Sequence, residues 1–197
     1  YMNADPLEQN VKKILEMSDQ EARKRKADDE YILVSETTPQ IILDKVEGAP
    51  NHKIIIRFDA AYLAMRSSGA LPGHYHGYGK NFANTLMEIL SDPDAIIQQR
   101  NGRINLFGRI QSGNGAQNLV SVELNTIKNI DKEFRPYNLV VTVFAAKENY
   151  IKNLLQREGV TVKYEKETLP QVNHQLYEWW AIVNGKVSSD AIVAQKN

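Results

Sequence analysis

Residues 95–124 read AIIQQRNGRINLFGRIQSGNGAQNLVSVEL, and three strands lie in them. Ala95 to Gln99, Arg103 to Ile110 and Leu119 to Leu124 are short runs of Ile, Val, Leu and Phe bounded by turn residues, the composition of strands. Asn101-Gly102 between the first two is the dipeptide of a tight hairpin, because both residues tolerate the positive φ that such a turn demands. Ser112-Gly113-Asn114-Gly115 makes a looser connection to the third. Three strands in succession on short turns form an antiparallel meander, and a meander preceded by helices belongs to an α+β domain, not to a doubly wound parallel sheet.

Upstream, Phe82, Leu86, Ile89 and Leu90 give a helix from about Asn81 to Leu90, ended by Asp92-Pro93. His52 to Phe58 (HKIIIRF) reads as a strand, with Asp59 capping a helix from Ala60 to about Arg66. Thr38-Pro39 suggests the N-cap and first residue of a helix through Val46, closed near Gly48, and Tyr31 to Val34 is a short β-type run. Leu7, Val11, Ile14, Leu15 and Ala22 predict one charged helix within residues 5–30. Its last part, RKRKADDE, reads as a solvated helix face. Downstream, Leu139 to Phe144 is a strand, Glu148 to Gln156 a helix and Val160 to Tyr164 a final strand. Residues 167–197, with Trp179-Trp180, read as a tail or docking arm. The expected division is thus a charged helix (1–30), a core α+β domain (31–166) and the tail.

The chain of 197 residues has 42% hydrophobic and 24% charged residues and a mean hydropathy of -0.45, values of a soluble globular domain. No apolar run approaches membrane-spanning length. It begins at Tyr1 with no leader pattern, which suggests a piece of a larger polypeptide. The absence of cysteine removes disulfides, thiolate metal sites and cysteine nucleophiles together. Basic and acidic residues number 24 each, so bulk charge gives no reason to coat a polyanion. Charge is nevertheless uneven: residues 98–163 hold ten basic against five acidic side chains. GNGAQN lacks the lysine and context of a phosphate-binding loop.

The densest chemical feature is HYHGYGK, residues 74–80, with His74, His76, Lys80 and the tyrosines Tyr75 and Tyr78. Histidine exchanges protons near neutral pH and lysine stays cationic, a combination suited to phosphodiester chemistry. Neighbouring carboxylates at ligand spacing are missing, so no metal is expected there. The plainer reading is a glycine-rich loop whose histidines bond backbone. His52 and His174 stand alone and read as surface residues. Arg103 and Arg109 are evenly spaced in one strand and so project to one face, where they are either phosphate ligands or ordinary exposed residues. Thr142 interrupts an apolar strand, its hydroxyl serving either a sheet neighbour or a cleft.

ETTPQIILDKV, APNHKIIIRF, YHGYGKNF, LSDPDAIIQQRNGRINLFGRI, LVSVELN and LVVTVF follow one another between Tyr31 and Lys166. This order resembles the C-terminal domain of MuF-like head-morphogenesis proteins, a phage-borne group in the superfamily of barnase, EndoU, colicin and RelE ribonucleases. The resemblance implies helices packed on one face of a four- or five-stranded antiparallel sheet, with an RNA-cleaving site in its cleft and no metal or cofactor. It places the family's histidine on His76 and its strand hydroxyl on Thr142. Phe144 stands where a tyrosine is common, so one hydroxyl is absent. The implied mechanism uses His76 or His74 as base on a ribose 2′-OH, with the other histidine or Lys80 assisting the leaving oxygen. Arg103 or Arg109, with Thr142 and Tyr78, would hold the RNA. An immunity protein or a phage structural protein is the expected protein partner, in a bacterial cytoplasm or a phage particle. The competing reading is a non-catalytic phage or prophage interaction module.

Overall fold

Ile54-Ile55-Ile56 is apolar at every position, and a strand of that kind needs cover on both faces. The structure, a computed structural model, describes residues 1–66, 77–110 and 116–166, excepting the side chains of 109 and 110. In it Ile54 and Ile56 enter one core cluster and Ile55 another, all three without exposed surface. The strand is central because its sequence permits no other place.

The elements run β1 (Met2–Asn3), α1 (Leu7–Glu16), α2 (Asp19–Ala27), β2 (Tyr31–Ser35), α3 (Gln40–Lys45), β3 (Ile54–Arg57) and α4 (Phe58–Met65). A short 3₁₀ turn (Gly79–Asn81) then leads to α5 (Phe82–Ser91), β4 (Ala95–Gln98), β5 (Ile104–Ile110), β6 (Gln117–Ile130), β7 (Glu133–Ala146), α6 (Glu148–Leu155) and β8 (Thr161–Glu165). The described strands form one sheet in the order β1-β2-β3-β7-β6-β5-β4-β8. β1 with β2 and β3 with β7 are parallel pairs; the remaining ladders are antiparallel.

This corrects the expectation of four or five antiparallel strands with helices on one face. The sheet has eight strands of mixed direction among the described residues, and α6 packs on the face opposite the other helices. Three things enlarge it. β6 and β7 run on together as a long hairpin arm whose turn is Asp131-Lys132, both at positive φ (55° and 66°), a two-residue turn with the twist a hairpin needs. β2 and β3 join through the parallel β3–β7 ladder. β8 adds to β4 at the far edge.

The N-terminal helix is also two helices. Ser18 accepts a hydrogen bond from the backbone N–H of Glu21 at 3.2 Å and so caps α2 as a separate element. Thr38 does not cap α3; its hydroxyl donates to the carbonyl of His52 at 2.7 Å.

Alternation sorts the strands onto two faces. Toward α1, α4 and α5 point Ile32, Ile56, Val140, Val122, Ile104 and Ile96, a continuous apolar layer completed by Ile14, Phe58, Phe82 and Leu86. The opposite face holds two separate patches. Ala95, Ile97, Phe107 and Leu119 lie with Ile151, Leu154 and Leu155 of α6, while Tyr31, Ile55, Leu139, Tyr137 and Ile130 lie along the hairpin arm.

Candidate functional site

α4 ends where the histidine segment begins. The backbone N–H of Tyr78 donates to the carbonyl of Ala64 at 2.9 Å and that of Gly77 to Arg66 at 2.7 Å. The chain thus leaves α4 at Arg66 and returns to the same turn at Gly77. Residues 67–76 between these points, with His74, Tyr75 and His76, lie outside the described residues; their two attachment points are fixed on the helical side of the sheet.

Tyr78 packs against the helical core, and its hydroxyl donates to Asn118 Oδ1 at 2.7 Å. Burial pushes its pKa above the ordinary tyrosine value, so Tyr78 is a neutral donor and cannot serve as a base. Asn118 faces α5, sharing a cleft of about 220 Å³ with Thr85, Glu88, Ile89 and Gly108. Gly108 is required by proximity: a Cβ there would stand 2.8 Å from the Ile89 side chain. Lys80 is exposed in the 3₁₀ turn, where it lines a groove of about 440 Å³ with Glu8, Lys12 and Glu16 of α1 and Asn84 of α5.

The strand residues are elsewhere. Thr142 is paired with Ser121, and Ser121 with Asn105. Asn105 and Ser121 each lie between residues of the helical core and so point to the opposite face, which Thr142, directly across the ladder from Ser121, shares. Ser121 Oγ donates to Asn105 Oδ1 at 2.6 Å, and Asn105 Nδ2 to Gln99 Oε1 at 3.1 Å. This polar row, with Asn105 and Ser121 buried, separates the two apolar patches. Beside it Phe144 meets Tyr150 edge-on at 5.0 Å, so the position where a tyrosine was expected serves packing under α6. Arg103 forms an ion pair of 2.5 Å with Glu123 beside the β4–β5 turn, in a cleft of about 470 Å³ that includes Glu47, Pro50 and Thr126. Glu123 is five residues along β6 from Asn118, roughly 17 Å at the rise of a strand. The side chain of Arg109 lies outside the described residues.

The structure therefore brings Tyr78 and Lys80 to the helical side, Thr142 to the other face and Arg103 to the far end of the strands. Asn118, Asn105 and Ser121 were not singled out from sequence. The signal for Asn105 was its place between Ile104 and Leu106, a polar residue on the second face of a strand apolar on the first. Compared with protein-family models, curated proteins and solved structures, the chain matches none. Among the described residues no three of His, Cys, Asp and Glu gather as metal ligands. No helix among them is long and apolar enough to cross a membrane.

Proposed function

We propose that the chain is a metal-independent RNA-cleaving domain whose reacting groups are His74, His76 and Lys80. The observation that supports this is the pinning of Gly77 and Tyr78 to the last turn of α4, which brings the residues flanking 67–76 together close to Lys80; the resemblance to MuF-like domains adds the chemistry. His74 or His76 takes the proton of a ribose 2′-OH. The 2′-oxygen attacks phosphorus, the P–O5′ bond breaks, and the other histidine or Lys80 delivers a proton to O5′, leaving a 2′,3′-cyclic phosphate and a 5′-OH. Tyr78 acts as a fixed neutral donor to Asn118. Thr142 and Arg103 take no part, because Thr142 lies on the opposite face and Arg103 at the far end of the strands. DNA lacks the attacking hydroxyl and resists.

The test is incubation of the purified chain with RNA in EDTA, followed by detection of cyclic phosphate ends. Cleavage is expected in EDTA, reduced by about a hundredfold or more in His74→Ala/His76→Ala. Intact RNA, or undiminished cleavage by the double variant, ends the reading.

A non-catalytic interaction module is the second reading, and the hairpin arm favours it: Ile127 is 67% and Phe134 76% exposed, an apolar surface unusual on a monomer's hairpin. Here a phage structural protein or an immunity protein, not nucleotide, would raise the melting temperature.

A further inference from the structure

The basic run Arg23–Lys26 is resolved by the structure into two kinds of cation. Arg25 folds inward: its guanidinium bonds the buried carboxylate of Glu30 and lies 4.6 Å from the centre of the Phe58 ring. Arg23 and Lys26 are exposed, and Lys26 meets Tyr62 of the neighbouring helix α4, whose ring Arg66, just past the end of that helix, also faces. The Lys26 ammonium is 4.8 Å and the Arg66 guanidinium carbon 5.1 Å from the centre of the same Tyr62 ring. Those two charges therefore stand roughly within one Debye length, about 10 Å at moderate salt.

Other charges converge on the same spot. Tyr62 donates to Asp19 Oδ1 at 2.6 Å, and Asp19 feels Arg66, Arg23 and Lys26 together, which help hold its carboxyl below the ordinary value after the Tyr62 hydrogen bond. Three cations thus share one exposed carboxylate. Arg25, Arg57, Arg103 and Lys166 all have carboxylates within ion-pair distance, whereas among the described residues Arg23, Lys26 and Arg66 have none. Arg66 is held by the carbonyl of Met17 through Nη2, and its buried Nε is without a partner. Lys26 and Arg66, held by a ring and a carbonyl, and Arg23 together outnumber the one carboxylate of Asp19, which leaves excess positive charge for an anion.

We infer that Lys26 and Arg66, gathered around Tyr62, together with Arg23 on the same helix as Lys26, bind consecutive phosphates of single-stranded RNA. The inference rests on the RNA reading above and names how that substrate is held. The Tyr62 ring is only 3% exposed and so is closed to base stacking; the site contacts backbone charge and is indifferent to base sequence. It also supplies on the helical side the phosphate ligands that Arg103 and Thr142 cannot give there.

The test is fluorescence anisotropy of a short labelled 2′-O-methyl oligouridine, which cannot be cleaved, titrated with the full chain across salt concentrations. Arg23→Gln/Lys26→Gln alters two exposed side chains and is expected to bind about tenfold more weakly, with the salt slope lower by roughly 1.4 at about 0.7 per phosphate contact. Lys128→Gln/Lys132→Gln removes the same charge from the hairpin arm and should bind as wild type. Arg66→Gln, checked for folding by circular dichroism, should weaken binding further. Unchanged binding in Arg23→Gln/Lys26→Gln, equal loss in the hairpin control, or cluster-dependent binding to phosphatidylserine vesicles with none to the oligonucleotide overturns the inference. Cluster-dependent binding without cleavage of ordinary RNA breaks only the catalytic reading; cleavage with cluster-independent binding breaks only this one.

Discussion

The two faces of the sheet are built on different terms. Toward the helices the strands present one unbroken apolar layer, with Ile14, Ile54, Phe82, Leu86 and Ile96 fully buried. The other face is two apolar patches parted by the Asn105–Ser121–Thr142 row. A continuous apolar face stabilises in proportion to area removed from water, and close packing makes each lost group felt. The hydrogen bonds of a polar row return much less, since each replaces a bond to water. Stability should therefore reside mainly on the helical side, while the opposite face has more freedom to change.

The largest effect separating the two faces is expected from Phe82→Ala, which deletes a fully buried ring between α5 and the sheet. It should cost about 3–5 kcal/mol in denaturant unfolding. Asn138→Ala comes next. Asn138 is fully buried, donates to Thr38 Oγ1 at 2.8 Å and to the carbonyl of Pro50 at 3.0 Å, and accepts from the N–H of Asn125 at 3.0 Å. Its loss strands partners from three segments and should cost about 2–3 kcal/mol. On the opposite face Ser121→Ala leaves Asn105 Oδ1 without its donor, for about 1 kcal/mol. If Ser121→Ala destabilises as much as Phe82→Ala in the same urea titrations, the ranking of the faces is wrong.

These differences also explain what could be read from residue order. The β4–β5 hairpin was legible because Asn101-Gly102 stands between two apolar runs, and β3 because three isoleucines adjoin. The hairpin arm was not. Thr126, Lys128, Asn129, Lys132, Glu133 and Arg135 dilute its pattern, Pro136 argues against a strand, and the turn is Asp131-Lys132 with no glycine. Pro136 is tolerated because β3 pairs with β7 only at 138–140, so its stretch of β7 is an edge. Parallel pairing of β3 with β7 leaves no local signature, since the partners are separated by more than eighty residues. The division of helix α1 from α2 was legible in principle, in Ser18 followed by Glu21. For the site, HYHGYGK pointed to a segment rooted on the helical side, but parity within strands could not tell which face belonged to which layer. Thr142 was consequently grouped with groups across the sheet from it, and Arg103 with groups at the other end of the strands.

Smaller effects sharpen the comparison through charge. At the far end of the strands the Arg103–Glu123 pair is partly exposed, at 32% and 38% of the two side chains, so Arg103→Gln or Glu123→Gln should cost no more than about 1 kcal/mol. A larger loss would mean that this ion pair carries structure. On the helical side Asp19 is shared among several partners. Its pKa is lowered chiefly by the Tyr62 hydrogen bond, then by Arg66, Arg23 and Lys26, against a smaller rise from desolvation relative to the leading cause. A carboxyl whose folded pKa is depressed stabilises fully above its unfolded value, about 3.9, and loses that contribution as pH falls through the folded value. Tyr62→Phe removes the leading cause, so the Asp19 carboxyl followed by NMR should titrate nearer the ordinary value, and the stability contribution of this group in the acid range should shrink. Arg23→Gln/Lys26→Gln should move the titration in the same direction by less, because two cations are lost while the hydrogen bond and Arg66 stay. Were the charge variant to move Asp19 further than Tyr62→Phe, the cations would be bound to the carboxylate as partners, and the excess positive charge that distinguishes this side from the Arg103–Glu123 ion pair would not exist.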